Sequence, residues 1–251
     1  MDWGLRGRTA LVTGASQGIG KALARLLALQ GVRVAAAARR VDLVDKLSAD
    51  VVAEGGNEIS AIEVDLYRKG AAEALADRAR SVLNRVDILM NVAGGSRTVP
   101  IDASSDQWHE AMLLNFFRLR ELTHALLPEM REAGWGRVIN FTGTSEPLTL
   151  NATSSAKAAV HVWSKSLSRE VAADGITVNC LQPGRIRSEQ ISRIYATPES
   201  EAEFSKQYLP IGRFGEADEI AWPAVFLASP LAGYITGAVI PVDGGLRFFA
   251  H

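Results

Sequence analysis

The stretch Thr13–Gly20, "TGASQGIG", follows the apolar run "TALVT" and continues into "KALARLLALQG", which has the periodicity of a helix. In this arrangement Gly14 allows a tight turn after a strand, Gly18 lets the backbone approach a ligand, and Gly20 permits close helix packing. The free N–H groups and the dipole at a helix N-terminus attract anions. Strand, loop and helix together predict a pyrophosphate site, and a plain glycine turn without a ligand is the alternative.

Outward from this loop, short Val/Ile/Ala-rich runs alternate with longer amphipathic segments. The nearly continuous apolar character of the runs is typical of parallel strands that are covered on both faces. The intervening segments, at about 18–30, 42–54, 68–83, 104–133, 153–174 and 216–228, are long enough to be helical crossovers. We expect one α/β domain over residues 1–251, a doubly wound Rossmann fold with a seven-stranded parallel sheet. The predicted strands are "TALVT", "VRVAAAA", "EISAIEV", "VDILMNV", "GRVINFT", "ITVNCL" and "GAVIPV".

Composition narrows the class of protein. With 251 residues, of which 47% are hydrophobic, the chain can bury the core of one domain. The net charge of −1 and the scattered Lys and Arg residues do not predict a nucleic-acid partner. We expect a soluble, cytoplasmic protein, because the sequence has neither a secretory leader nor a run of about 18 apolar residues. A metal site is not expected, since the four histidines lack both His-x-x-x-His spacing and a neighbouring carboxylate cluster. Cys180 is the single cysteine, so an internal disulfide is not expected either.

The glycine spacing, Gly-x-x-x-Gly-x-Gly, resembles that of the short-chain dehydrogenase/reductase family. Similar matches follow in order along the chain: "MNVAGG" (90–95), Asp65 in "VDL", Asn115 in "LLNFF", "QPGRIRS" (182–188) and the C-terminal "YITGAVIPVDGG". The resemblance implies a nicotinamide dinucleotide cofactor, with Asp65 beside the adenine and the Pro-Gly segment beside the nicotinamide. The cofactor-binding residues that it implies are Gly14, Ser16, Gln17, Gly18, Ile19, Gly20, Arg39, Arg40, Asp65, Asn91, Ala93, Gly94, Lys157, Pro183, Gly184, Ile186 and Ser188.

The end of the second strand, "VAAAARR", predicts which nucleotide form is bound. An acidic residue there would bind the ribose 2′-hydroxyl of NAD(H) and repel a 2′-phosphate. Ala38 takes that place, and Arg39 and Arg40 follow it, so charge-assisted bonds to a 2′-phosphate are available. We therefore expect NADP(H) rather than NAD(H). The alternative is that both arginines only form the solvated start of the next helix.

The stretch "NATSSAKAA" (151–159) departs from the family's catalytic pattern. The family has a Tyr as acid, a Lys one helical turn later that binds the nicotinamide ribose, and a Ser at the preceding strand end. Lys157 matches the Lys, but Thr153 stands in the position of the Tyr and Gly143 in that of the Ser. Thr142, Thr144 and Ser145 are the nearby hydroxyls, and Asn115 matches the family's helical Asn, which supports a water near the active-site Lys. An aliphatic hydroxyl has no acidity comparable to that of a phenol.

Other groups could supply the proton, namely a water held by Asn115 and Lys157, or Tyr195, Tyr208, Glu146 or His161. For each of these four side chains a packing or solvated role is favoured.

The weakly patterned segment at about 185–213 is expected to be a substrate lid rather than a domain boundary. The helix "WHEAMLLNFFRLRELTHALL" is apolar around much of its circumference, which indicates a subunit partner, in a homotetramer or a homodimer.

These departures resemble a divergent subgroup of the family that is similar to 3-oxoacyl carrier-protein reductases. The function expected is an NADP(H)-dependent oxidoreductase that acts on a small-molecule carbonyl or secondary alcohol. Two alternatives stay open. One is an NADP(H)-binding protein without hydride transfer, acting as a sensor or a partner subunit, and the other is hydration or isomerisation in the same pocket.

Overall fold

A computed structural model describes residues 3–96, 98–144 and 146–248. Within them, seven strands form one sheet in the order β3-β2-β1-β4-β5-β6-β7, and every adjacent pair is parallel. The predicted fold class and all seven predicted strands are confirmed. The strands are β1 Thr9–Thr13, β2 Arg33–Ala38, β3 Ile59–Glu63, β4 Ile88–Asn91, β5 Gly136–Phe141, β6 Ile176–Pro183 and β7 Val239–Val242.

Helices cover both faces of this sheet. Neighbouring residues of a strand point to opposite faces, so that Val12 belongs to one buried cluster and Leu11 to the other. The first cluster packs under α1, α2 and α9, and the second under α3 and α5. The helices are α1 Gly18–Leu29, α2 Val41–Ala53, α3 Ala71–Leu83, α4 Ser105–Met112, α5 Arg118–Glu132, α6 Ala152–Val171, α7 Glu189–Ile194, α8 Pro198–Tyr208 and α9 Ala217–Ala228.

Two segments differ from the sequence prediction. The helix expected over 104–133 is interrupted by a π-helical turn, Leu113–Phe117, which lies between α4 and α5. The segment predicted as weakly patterned contains α7 and α8, whose first turns are capped by the hydroxyls of Ser188 and Thr197. With six residues, α7 is too short to show a helical period, and the predominantly polar sequence of α8 hides its apolar face.

The strand order reverses between β1 and β4, so a crevice opens where their carboxyl ends diverge. Thr13 holds the two sides of this crevice together at the end of β1. Its hydroxyl accepts hydrogen bonds from the N–H groups of Val92 and Ala93, both at 3.0 Å, and donates one to the Met90 carbonyl oxygen at 3.3 Å. The loops after β1 and β4 are thereby fixed side by side. Among the described residues, no helix is long and apolar enough to cross a membrane.

Candidate active site

A cavity of about 740 Å³ occupies this crevice, and most of the residues predicted to bind the cofactor line it. These lining residues are Gly14, Ser16, Gln17, Gly18, Ile19, Gly20, Arg39, Arg40, Asp65, Ala93, Gly94, Ile186 and Ser188. The sequence prediction missed other lining residues, which include Ala37, Val64, Leu66, Tyr67, Val92, Gly95, Leu114, Glu189 and Arg193.

The glycine loop has the conformation that its spacing predicts. Gly14 and Gly18 adopt positive φ angles of 68° and 53°, a region that favours glycine. A Cβ atom at Gly20 would lie 2.3 Å from the carbonyl oxygen of Gly14, so a side chain there would displace the loop. The loop therefore brings bare backbone and the N-terminus of α1 to the cavity, which fits a pyrophosphate group.

Four of the predicted cofactor residues lie outside the cavity lining, namely Asn91, Lys157, Pro183 and Gly184. The Asn91 amide is buried and donates to Thr123 Oγ1 at 3.1 Å and to Asn140 Oδ1 at 2.9 Å. Pro183 is the last residue of β6, and Gly184 follows it. A Cβ atom at Gly184 would lie 2.7 Å from the Cα of Asp243, so this glycine permits a close backbone contact.

The end of the cavity beside β2, which is the adenosine end of the sequence prediction, carries the two predicted arginines, and both are exposed. Arg40 donates a hydrogen bond to the Gln17 side-chain oxygen, and its guanidinium lies 3.4 Å from a carboxylate oxygen of Glu189. Ala38, where an acidic residue would discriminate against a 2′-phosphate, is buried at the same end. Asp65 also lines the cavity there, and its carboxylate accepts the N–H of Tyr67 at 3.1 Å.

At the inner end, Gly94 stands between Asn115 and Lys157. A Cβ atom at Gly94 would lie 2.8 Å from Asn115 Oδ1 and 3.2 Å from Lys157 Nζ. Asn115 belongs to the π-helical turn, where its side-chain amide donates to the Ala111 carbonyl at 3.0 Å and its Oδ1 accepts the Gly95 N–H at 3.2 Å. The structure thus brings together these residues from α6, the π-helical turn and the loop after β4.

Lys157 is buried, with 7% of its surface exposed, and its ammonium donates to the Phe141 carbonyl oxygen at 2.6 Å. Burial lowers the pKa of this ammonium to about 8, because a charged group loses hydration inside the protein. The group is still predominantly protonated at neutral pH. It can therefore act as a hydrogen-bond donor next to Gly94, which lines the cavity.

Thr153 lies one turn before Lys157 on α6, as predicted, but its hydroxyl proton is already engaged. Thr153 Oγ1 donates to the Gly95 carbonyl oxygen at 2.7 Å. A hydroxyl has one proton to donate, although its oxygen lone pairs can accept. In this arrangement Thr153 fastens α6 to the loop after β4.

The other hydroxyl candidates lie in the loop after β5. Thr144 Oγ1 accepts the N–H of Glu146 at 3.0 Å, and the Glu146 carboxylate accepts the N–H of Phe248 at 2.9 Å. Ser145 lies outside the described residues. His161 Nε2 is hydrogen-bonded to Thr142 Oγ1 at 2.8 Å, and burial, with smaller contributions from nearby cations, lowers the pKa of this imidazole.

The two lid tyrosines pack into an aromatic cluster. The Tyr195 ring lies 5.1 Å from the rings of both Phe204 and Phe214, measured between centroids, and Tyr208 lies 4.8 Å from Phe204. These contacts agree with the packing role that the sequence favoured.

Burial raises the pKa of the Cys180 thiol to about 11, so that it stays protonated at neutral pH. Across 3–96, 98–144 and 146–248, no group of three His, Cys, Asp or Glu side chains could hold a metal ion.

Comparison with known proteins places the chain in a family. Residues 14–247 match the family described as "Enoyl-(Acyl carrier protein) reductase". Nodulation protein G of Rhizobium sp. (strain N33) is 39% identical, with 96% of this chain and 98% of that protein covered. The 3-oxoacyl (acyl-carrier-protein) reductase of Pseudomonas aeruginosa is 34% identical, with coverage of 96% and 98%.

A solved structure, the Pseudomonas aeruginosa RhlG/NADP active-site complex, is similar throughout. It superimposes with a TM-score of 0.89 at 33% identity, and the match covers 98% of this chain and 99% of that one. The chain belongs to the short-chain dehydrogenase/reductase family of oxidoreductases.

Proposed function

We propose that this chain is an NADP(H)-dependent oxidoreductase that interconverts a small carbonyl compound and a secondary alcohol at an active site without the usual tyrosine. One observation carries the proposal. Lys157, Asn115 and Gly94 converge at the inner end of a cavity whose opposite end presents Arg39 and Arg40. A protein that kept only the fold would have no need to maintain a buried ammonium beside this cavity, since burying a charge is costly.

The preference for NADP(H) over NAD(H) is supported by the charges around the adenosine end. Two arginines line it, and Ala38 leaves no carboxylate at the end of β2 to repel a 2′-phosphate. NADP is also the ligand named in the RhlG complex. A bound 2′-phosphate would accept charge-assisted hydrogen bonds from the guanidinium groups.

Bound NADPH would supply the hydride, and the chain's own residues would position the partners and provide the proton. Lys157 would hold the nicotinamide ribose and keep a positive charge next to the developing alkoxide. Asn115 orients the loop after β4 through the Gly95 N–H. Because the Thr153 proton is engaged with Gly95, we assign the proton donor to a water molecule held by Lys157 and Asn115.

The missing phenol sets the expected rate. A well-placed general acid contributes about 10²–10⁴ in rate. A water molecule polarised by Lys157 would supply part of this rate enhancement. Turnover should therefore be slow and should depend on Lys157. The alternative, an NADP(H)-binding protein without hydride transfer, is favoured by one contact, the engagement of the Thr153 hydroxyl with Gly95.

NADPH consumption over a panel of ketones, quinones and 3-oxoacyl thioesters tests the proposal. The proteins compared are wild type, Lys157→Ala and Thr153→Tyr. We expect wild-type turnover that Lys157→Ala abolishes and Thr153→Tyr increases. NADPH binding without turnover in the wild type, with activity appearing in Thr153→Tyr, would instead support the binding protein, and product formation without a change in NADPH would support hydration or isomerisation.

We also propose that α7 and α8 form the substrate lid, over about 185–213, and that further copies of the chain cover the exposed apolar residues of the π-helical turn and α6. The lid proposal is supported by Ile186, Ser188, Glu189 and Arg193, which line the cavity just where the segment begins. The proposed contact between copies of the chain is supported by Val162 of α6, which is 72% exposed. A homotetramer is the expected assembly, and a homodimer is the alternative.

A further inference from the structure

We propose that Glu189, the first residue of α7, tunes the affinity for NADPH by competing with the 2′-phosphate for Arg40. The inference rests on the proposed function, because it needs a 2′-phosphate to bind at the adenosine end. It assigns a specificity role to a lid residue that lies 149 positions along the chain from Arg40. Wild-type affinity for NADPH is then lower than the arginines alone would give.

The contacts of Arg40 define the competition. Its Nη2 donates to the side-chain oxygen of Gln17 in the glycine loop and lies 3.4 Å from Glu189 Oε2. The same Glu189 oxygen lies 3.8 Å from the guanidinium of Arg193, one turn later on α7. All four residues line the cofactor cavity. Glu189 is thus an anion placed between two cations at the point where the 2′-phosphate is expected.

The backbone around Ser188 holds Glu189 in this place. A Cβ atom added at Gly18 would lie 3.4 Å from the Cβ of Ser188, so the gap between the glycine loop and the start of α7 is about the size of one methyl group. The Ser188 hydroxyl accepts the N–H of Ile191 at 3.3 Å and caps α7. Because the helix begins directly on the loop, its first side chain is directed to the rim of the cavity.

The electrostatic consequence follows from the charges. A phosphate monoester carries about −1.5 to −2 charges near neutral pH. To bind Arg40 it must displace the Glu189 carboxylate or accept a like charge beside it, and either option weakens NADPH relative to NADH, which carries no 2′-phosphate. When Arg40 turns to the phosphate, Arg193 remains as a partner for Glu189. The arrangement makes Glu189 a negative determinant that is specific for the 2′-phosphate.

Calorimetric titration of NADPH and NADH into wild type, Glu189→Gln and Glu199→Gln tests the inference. Glu199 is the matched control, because it is an exposed acid in the first turn of α8 and lies outside the cavity lining. We expect Glu189→Gln to tighten NADPH binding about 2- to 5-fold, the range for releasing one exposed ion pair. NADH binding should not change, and Glu199→Gln should change neither. High salt should shrink the difference, since these charges are exposed.

An Arg40→Ala background supplies the decisive comparison. If Glu189 acts by competing for Arg40, most of the gain from Glu189→Gln disappears when Arg40 is absent. An unchanged or weaker affinity for NADPH in Glu189→Gln, or an equal gain for NADH, overturns the inference. A wild type that prefers NADH would contradict the proposed NADP(H) preference but not this inference. The effect of Glu189 is a change in the ratio of the NADPH and NADH affinities, which can be measured whichever cofactor binds more tightly.

Discussion

Gly94 is the residue at which the candidate site depends most on the absence of a side chain. It lies against two buried groups that are each already hydrogen-bonded, Asn115 to Gly95 and Lys157 to Phe141. Neither group can move away without breaking a hydrogen bond inside the protein, where an unsatisfied polar group is costly. The sequence "VAGG" therefore encodes more than a turn, because its first glycine leaves the space in which the loop after β4, the π-helical turn and α6 meet.

Replacing Gly94 by Ala should disable the site. The new Cβ would lie 2.8 Å from Asn115 Oδ1 and 3.2 Å from Lys157 Nζ, so both side chains must shift. Overpacking of this kind costs about 1–3 kcal/mol of stability, and misplacing a reacting group by about 1 Å can reduce turnover about 10²-fold. Thermal unfolding and NADPH turnover measure the two effects.

Gly95→Ala is the matched control for stability. Among the described residues, a Cβ atom there would meet only Leu114 Cδ2, at 3.9 Å, which is an ordinary contact distance. Its melting temperature should stay close to that of wild type, whereas that of Gly94→Ala should fall. Equal melting temperatures for the two variants would contradict the tight fit at Gly94.

The residue pattern predicted the glycine loop and the shared helical face of Thr153 and Lys157, because both follow from local spacing. It could not predict that the Thr153 hydroxyl donates to Gly95, which is 58 residues away. Glu189 and Arg193 were missed for the same reason. Their spacing of four residues indicates a helical ion pair, but only the folded chain places that pair beside Arg40.

Among the elements, α6 carries both Thr153 and Lys157, so the start of this helix sets where they lie. Asn151 is its N-cap, and its side-chain oxygen accepts the N–H groups of Thr153 at 2.9 Å and Ser154 at 3.3 Å. The same side chain donates to Ser96 Oγ at 3.2 Å and so ties the helix start to the loop after β4. The helical pattern of the sequence, at about 153–174, placed this helix start within one residue, whereas the capping role of Asn151 comes from the structure.

Asn151→Ala should lower the free energy of unfolding by about 1 kcal/mol, the typical value for removing a helix cap. Urea denaturation measures this change. Asn151→Asp is the control, because a carboxylate keeps both acceptor contacts and its negative charge is favourable at a helix N-terminus. The capping role is wrong if Asn151→Asp loses as much stability as Asn151→Ala does.

Elements with weak periodicity were the ones that the sequence did not resolve. A π-helical turn carries the same apolar residues as an α-helix, so "LLNFF" looked continuous with α4 and α5. Its effect is functional, since the wider turn contains Asn115. The strands, in contrast, were all predicted, because burial on both faces demands the apolar runs that sequence shows directly.

At the scale of the whole molecule, both faces of the sheet are covered, and yet apolar side chains remain exposed on the outer side of the helix layer. Phe116 packs edge-on against Trp163 of α6 with ring centroids 6.3 Å apart, and Phe117 of the same π-helical turn is 40% exposed. Val162, next to Trp163, is 72% exposed. Clustered apolar exposure of this kind marks an interaction surface more often than isolated residues do.

Val162→Asp should therefore produce a smaller assembly than wild type. An isologous interface places the same patch on both subunits, so one substitution introduces two carboxylates into a desolvated contact. Val52→Asp is the matched control, because Val52 is 51% exposed on α2, which carries no cluster of this kind. Sedimentation velocity at equal concentrations should show the wild-type species for Val52→Asp and a lighter one for Val162→Asp. An unchanged assembly in Val162→Asp would mean that the exposed face of α6 is not a subunit interface, and the homo-oligomer would have to form through another surface.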